Sequence, residues 1–346
     1  MRAGPRFLLF GFLIFCVFRV YPLLIGADSL VSVEPFTTVP TVDTAPNQIL
    51  QFAFMQNGFA LQNASTTCTF GAVFPVAGTV GLTGGTLYLG TDLIFQNPAT
   101  LLSTGYFWGN SHQIDFSQSV TWLSATFTSQ FSNASVFLNN DLTIAGTVKF
   151  LGSCLLDGGW NSVTLNTGAK MIVGHNATLT LRNMNIEGII GSNLSCLDDT
   201  ASLILDNVCW VQSGDYSFTR GALLFLNEVD ITGQHVFNFS PSLQSTIENN
   251  STLYFDIGTT FNYSPQVANK TLLSMGSTSF LSLNGCSVVA TRTGLQLSQG
   301  TLIIDNNVTL SSGALYVAEG IVLQSSLNIM VLGSAVLNLF GIIVSN

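Results

Sequence analysis

One phrase recurs through this chain and limits its fold more than any other feature. It reads leucine, spacer, apolar residue, spacer, then a turn former. It appears as "TLTLRNMNIEG" at 178–188, "SLILDNVCW" at 202–210, "ALLFLNEVD" at 222–230, "FLSLNGCSV" at 280–288 and "TLIIDNNVT" at 301–309. The apolar members form i, i+2 pairs: Leu179 with Leu181, Leu203 with Leu205, Leu223 with Phe225, Leu253 with Phe255, Leu281 with Leu283 and Leu302 with Ile304. Side chains two apart share one face of a strand. No long stretch repeats apolar residues at i, i+3, i+4 and i+7, so helix is not the reading.

The phrases return at intervals of roughly 20 to 30 residues, the length of one solenoid coil. Aligned on their first leucine, Leu179, Leu203, Leu223, Leu253, Leu281 and Leu302 form one expected column, with Leu87 and Val163 opening similar phrases upstream. A lone coil leaves its apolar edge uncovered, and stacking the next coil about 4.8 Å above buries it. The spacing therefore predicts an all-β chain wound as a parallel β-helix. Arg182, Asp206, Asp256, Asn284 and Asp305 follow the pairs and are expected to point outward. Asn183, Asn207, Asn227 and Asn306 then mark the bends. Asparagine accepts left-handed backbone angles, and its amide can bond the same residue of the next coil. The competing reading is an antiparallel sandwich or barrel. Asn-Gly hairpin turns should then be frequent, and "NG" occurs only at 57 and 284.

"TLTLRNMNIEG", "SLILDNVCW" and "TLIIDNNVTLSSG" resemble coils of right-handed β-helix proteins of the pectin-lyase-like and autotransporter-passenger kind, over about 85–346. "RGALLFLNEV" and "SGALYVAEG" resemble the GGA-I/L phrases of polymorphic outer-membrane proteins of intracellular bacteria, with Arg220-Gly221 and Ser312-Gly313 in place of the doubled glycine. The resemblance implies a right-handed parallel β-helix. It also raises polysaccharide lyases and hydrolases as functions to weigh against passengers that display a surface.

Ahead of the coils, 1–27 has the layout of an export signal. Arg2 and Arg6 precede the apolar "FLLFGFLIFCVF", Arg19 interrupts it, and Ala27 offers a small residue at the cut. Residues 28–48 form a Pro/Thr-rich leader or linker with Pro35, Pro40 and Pro46, 49–84 an N-terminal cap with the first strands, and 85–346 the β-helix. The mature chain is expected to lack a membrane span, because no later apolar run approaches the length of a spanning helix. Only 8% of residues are charged and the net charge is −9. Removing Arg2, Arg6 and Arg19 makes the charge more negative still, and no basic cluster remains, which excludes nucleic-acid binding. Cys68, Cys154, Cys196, Cys209 and Cys286 are far apart. They read as buried free thiols filling interior positions, with a Cys196–Cys209 disulfide as the alternative in an exported chain.

Signals of chemistry are sparse. Hydrolysis of a glycosidic bond needs two placed carboxylates, and the candidate catalytic residues are Asp157 in "CLLDGGWNS" and the doublet Asp198-Asp199 in "SCLDDTAS". Strand neighbours point to opposite faces, so the doublet serves one site only from a loop. A sugar ring could stack on Trp160 of "DGGW", although the same phrase describes a tight turn capped by a packed aromatic. His112, His175 and His235 have no metal-ligand spacing. No metal or cofactor is expected. Lys149, Lys170, Lys270, Arg182, Arg220 and Arg292 are scattered, though coil spacing could bring Lys170 near Arg182 or Arg220.

Asn-x-Ser/Thr sequons stand at Asn63, Asn133, Asn176, Asn193, Asn238, Asn249, Asn250, Asn262, Asn269 and Asn307, and carry glycans only in a eukaryotic secretory route. The expected function is an exported structural or adhesive surface protein, an elongated scaffold for binding or display. The alternative is a carbohydrate-active β-helix enzyme. Expected partners are glycans or a host or cell-surface protein. The expected location is secreted or cell-surface, outer-membrane-associated in a bacterium. The apolar "IVLQSSLNIMVLGSAVLNLFGIIVSN" has no polar cap. Either a longer protein continues past it, or copies stack end to end.

Overall fold

The computed structural model describes residues 128–265, 271–319, 321–325, 329–340 and 342–345, with shorter strand segments between 41 and 123. The export segment at 1–27 lies outside the described residues. Described residues form strands and turns with no helix, and the strands pair in parallel from coil to coil. Two-residue hairpins cannot join parallel neighbours, so the sandwich and the up-and-down barrel are excluded. The chain is a parallel β-helix, and among the described residues Thr41 and Val42 already pair in parallel.

Each coil contributes to three sides. On the first, Leu156, Leu181, Leu205, Phe225, Ile247 and Met275 stack in register. On the second the column is Val163, Ile186, Trp210, Ile231, Phe255, Leu283 and Ile304. On the third, Phe107, Phe131, Phe150, Val173 and Cys196 stack in the lower coils, and Phe218, Phe239, Tyr263 and Ala290 do so higher up. All of these side chains except Cys196, at 5% exposed, are nearly or wholly buried. Burying one large apolar side chain contributes about 1.5–3 kcal/mol, so the continuous column stabilises each coil through its neighbours rather than by itself.

The expected single column of leucines splits across two sides. Leu179, Leu203 and Leu223 pair on the first side. Leu253 instead pairs with Val229, and Leu281 and Leu302 follow it on the second. Leu87 belongs to the eight-stranded sheet of the third side, and Val163 to the second. All three sides make the same demand, two inward residues and then a bend, so the phrase reports a strand without reporting which side it occupies.

The bends follow the expectation more closely. Asn183, Asn207, Asn227 and Asn306 have φ of 52°, 55°, 54° and 54°. Asn207 Nδ2 donates to Asn183 Oδ1 at 3.1 Å, and Asn306 Nδ2 to Asn284 Oδ1 in the coil below. Asn227 Nδ2 breaks the pattern by donating to Asp206 Oδ1 at 2.6 Å. Elsewhere buried hydroxyls satisfy backbone groups where the ladder turns. Ser245 Oγ accepts from Leu223 N–H at 2.9 Å, Ser251 Oγ from Asn227 N–H at 2.9 Å, and Thr259 donates to the Gly233 carbonyl at 2.7 Å. These bonds give the serine and threonine content a structural role, because a buried backbone group left unpaired is costly.

Phenylalanine stacks inside, as at Phe107 and Phe131, whose ring centroids are 4.9 Å apart, and at Phe255 and Phe261, 4.2 Å apart. Cys154, Cys196, Cys209 and Cys286 are all free, so Cys196 and Cys209 form no disulfide. Burial pushes the Cys196 and Cys286 thiols up to about 12. At the far end Met330, Val331, Leu332, Val336 and Phe340 are exposed.

Candidate functional site

Asp157 ends a first-side strand, in register with Arg182 of the next coil. Its Oδ2 accepts from Arg182 Nε at 2.9 Å and from Arg182 Nη2 at 2.7 Å. Its Oδ1 accepts from Gly159 N–H at 3.1 Å and from Asn183 Nδ2 at 3.5 Å. This carboxylate is engaged on both oxygens, tying one coil to the next and fixing the turn that follows.

The Asp198-Asp199 doublet lies in the loop before the Ser202–Phe218 strand, and its two carboxylates diverge. Asp198 Oδ2 meets His175 Nδ1 at 2.6 Å, and its Oδ1 accepts from the Thr200 hydroxyl at 2.6 Å and Thr200 N–H at 2.9 Å. The Thr200 bonds and then the His175 bond hold this carboxyl down at about 2. Asp199 Oδ1 accepts from the Ser242 hydroxyl, higher in the stack. Asp157 stands at the end of the first-side strand and Asp198 before its start. At about 3.3 Å per residue they are roughly 15 Å or more apart along that face. Neither glycosidase geometry spans such a gap, since retaining and inverting pairs need about 5–9.5 Å. The three candidates do not form one site.

Among the described residues one cation, Arg182, meets these acids, at Asp157, while Lys270 and the Arg292 side chain lie outside the described residues. Lys149 and Lys170 sit on third-side strands, Arg182 is held by Asp157, and Arg220 Nη1 donates to the Leu197 carbonyl at 2.8 Å. Among the described residues, no group of three or more His, Cys, Asp or Glu is placed to hold a metal ion. The sequons differ in access: Asn176, Asn249, Asn250 and Asn307 are exposed. Asn193 is buried, its Oδ1 accepting from Ile190 N–H at 3.1 Å and its Nδ2 donating to the Gly188 carbonyl at 2.8 Å.

One feature escaped the sequence, and a second was left open by it. The outward face of the second side carries Glu187, Cys209, Asp230 and Asp256 on four successive coils, with Cys209 and Tyr254 in register below and above Asp230. Burial, then the charges of Asp256 and Glu228, push the Asp230 carboxyl up to about 6. Glu187 accepts from Ser162 Oγ at 3.3 Å and Thr164 Oγ1 at 3.5 Å. These acids are legible as neighbours only once each phrase has been given its side. The second feature is Trp160. It is not a packed turn cap but is 72% exposed, with φ of 69°.

No family model, no curated protein and no solved structure matches this chain. Its class is defined by its own geometry, a parallel β-helix.

Proposed function

We propose that the chain is an exported structural or adhesive surface protein, of the pectin-lyase-like or autotransporter-passenger kind, whose β-helix is an elongated scaffold for binding or display. The observation that carries this reading is the contrast between the two faces of each strand. Inward positions repeat as an apolar column, while the outward register partners Asn185, Cys209, Asp230 and Tyr254 change at every coil. Asp157, Asp198 and Asp199 are bound to other coils, which supports structural work for the acids that first suggested an enzyme. The basic start and apolar run of 1–27 support export to the cell surface or medium. Glycans or a cell-surface protein are the partners.

Incubating the purified full chain with intact cells and with a panel of polysaccharides tests the proposal. Saturable binding without release of reducing or unsaturated sugar is expected; catalytic turnover contradicts it. One observation favours a second reading. Asp230, raised to about 6 beside Asp256, has the protonation expected of a glycosidase general acid. Reducing-sugar release that disappears in Asp230→Asn would establish the hydrolase instead.

A further inference from the structure

In three coils a single left-handed asparagine turns the chain from the first side to the second: Asn183, Asn207 or Asn227. Other coils take a longer turn, as at 248–251 between Ile247 and Phe255 and at 276–279 between Met275 and Leu283, and the coil of Asp157 is one of them. Its run from Leu156 to Val163 is two residues longer than the run from Leu181 to Ile186 with which it pairs. The longer turn contains Gly158, Gly159 and Trp160, and it projects the indole into solvent.

Both neighbouring coils hold that turn. Gly158 N–H donates to the Arg182 carbonyl at 2.8 Å and Trp160 N–H to the Asn183 carbonyl at 2.6 Å, in the coil above. Asn161 Nδ2 donates to the Leu138 carbonyl at 3.2 Å in the coil below and to the Gly158 carbonyl at 2.7 Å within the turn. A side chain at Gly158 would meet Met184 Cβ at 2.4 Å, and one at Gly159 the Leu138 carbonyl at 2.6 Å. Trp160 therefore sits in a rigid frame, in a backbone region that bulky residues rarely enter. It gains little packing in return. Glycine or asparagine would make the same turn with less strain, so the indole itself is the reason for the arrangement.

We propose that Trp160 is the stacking platform of a carbohydrate-binding site at this corner, taking the face of a neutral pyranose ring. This rests on the binding-scaffold reading and names its ligand. An indole offers a flat apolar face to the C–H groups of a sugar, while neighbouring amides orient the hydroxyls. Asn161 follows Trp160 in the chain, its Nδ2 bonded within the turn and to the coil below, and Asn139 and Asn140 occupy the same bend one coil below. The charges argue for a neutral sugar. Asp141 is exposed at this bend, and Arg182 is already taken by Asp157.

Calorimetric titration of the full chain with cello-, chito- and laminari-oligosaccharides, trigalacturonate and choline tests the assignment, using wild type, Trp160→Phe and Trp160→Gly. A neutral oligosaccharide is expected to bind wild type, more weakly Trp160→Phe, and at least about tenfold more weakly Trp160→Gly. Trp160→Gly should meanwhile melt no lower than wild type, because glycine relaxes the left-handed position. That combination separates a ligand platform from a structural residue. Unchanged affinity in Trp160→Gly overturns the site while leaving the scaffold reading intact, and so does binding confined to trigalacturonate or to choline. If wild type binds neither these sugars nor intact cells, both fail.

Discussion

Replacing Asn207 tests whether the bend asparagines hold successive coils together. Asn207 sits at φ 55°, donates through Nδ2 to Asn183 Oδ1 at 3.1 Å, and accepts at Oδ1 from Glu228 N–H at 3.3 Å. It therefore links the coil below to the coil above. Asn207→Ala removes both bonds, each contributing about 0.5–1.5 kcal/mol. It also leaves a Cβ in the left-handed region without the local side-chain bonding that makes asparagine tolerable there. The total loss is about 2–3 kcal/mol. Asn207→Gly loses the same bonds but relieves the backbone, so its loss is about 1–2 kcal/mol. Urea unfolding followed by tryptophan fluorescence, with hydrogen exchange across 178–232, reads the order. Stacked repeats need not unfold in one step, so the exchange rates of the flanking coils are the decisive quantity. Wild type should be the most protected, then glycine, then alanine. Alanine at wild-type stability, or glycine below alanine, would refute the reasoning.

Other consequences are more local. Asp230 has its folded pKa raised to about 6, against about 3.9 unfolded. The native state thus holds the proton more tightly, and stability contributed below about pH 4 is lost as pH rises through about 6. Asp230→Asn should then stabilise the fold at pH 7 by about 1 kcal/mol, after allowance for partial solvent screening, and flatten the melting profile between pH 4 and 7. Leu205 is fully buried between Leu181 and Phe225. Leu205→Ala should lower stability by about 2–5 kcal/mol, measured by the same urea titration. Cys154, Cys196 and Cys286 are buried with thiols raised by burial. Iodoacetamide at pH 8 should leave them unmodified in the native chain and label them in guanidinium, with peptide mass spectrometry as the readout.

The strand class and coil stacking were legible in the sequence because packing repeats them. Leu179 and Leu181, or Leu302 and Ile304, can only be a two-residue period facing inward. The bend residues were legible too, since few side chains accept φ near 54° as asparagine does. The side that each phrase occupies was not legible. Leu223 and Leu253 carry the same pattern, yet they lie on different faces because one coil also includes the step around a corner. That ambiguity hid the shared outward face of Asp230 and Asp256. The surroundings of the candidate residues were hidden for a related reason. A carboxylate in a turn phrase does not name its partners, which the structure gives as Arg182 for Asp157 and His175 for Asp198. The exposure of Trp160 was likewise invisible, because "DGGW" does not say which way the indole turns.

Coil register is the claim on which the rest depends, and disulfide trapping measures it directly. Thr180 and Ile204 are outward register partners in adjacent coils, and Leu224 is the next in line. Adjacent coils stand about 4.8 Å apart, within the Cα separation of about 4.4–6.8 Å that a disulfide accepts. Mild oxidation of the Thr180→Cys/Ile204→Cys variant should give a cross-linked peptide pair, and the Thr180→Cys/Leu224→Cys variant should give none. A pair that stays reduced at 180 and 204, or closes equally well at 180 and 224, would contradict the parallel stack.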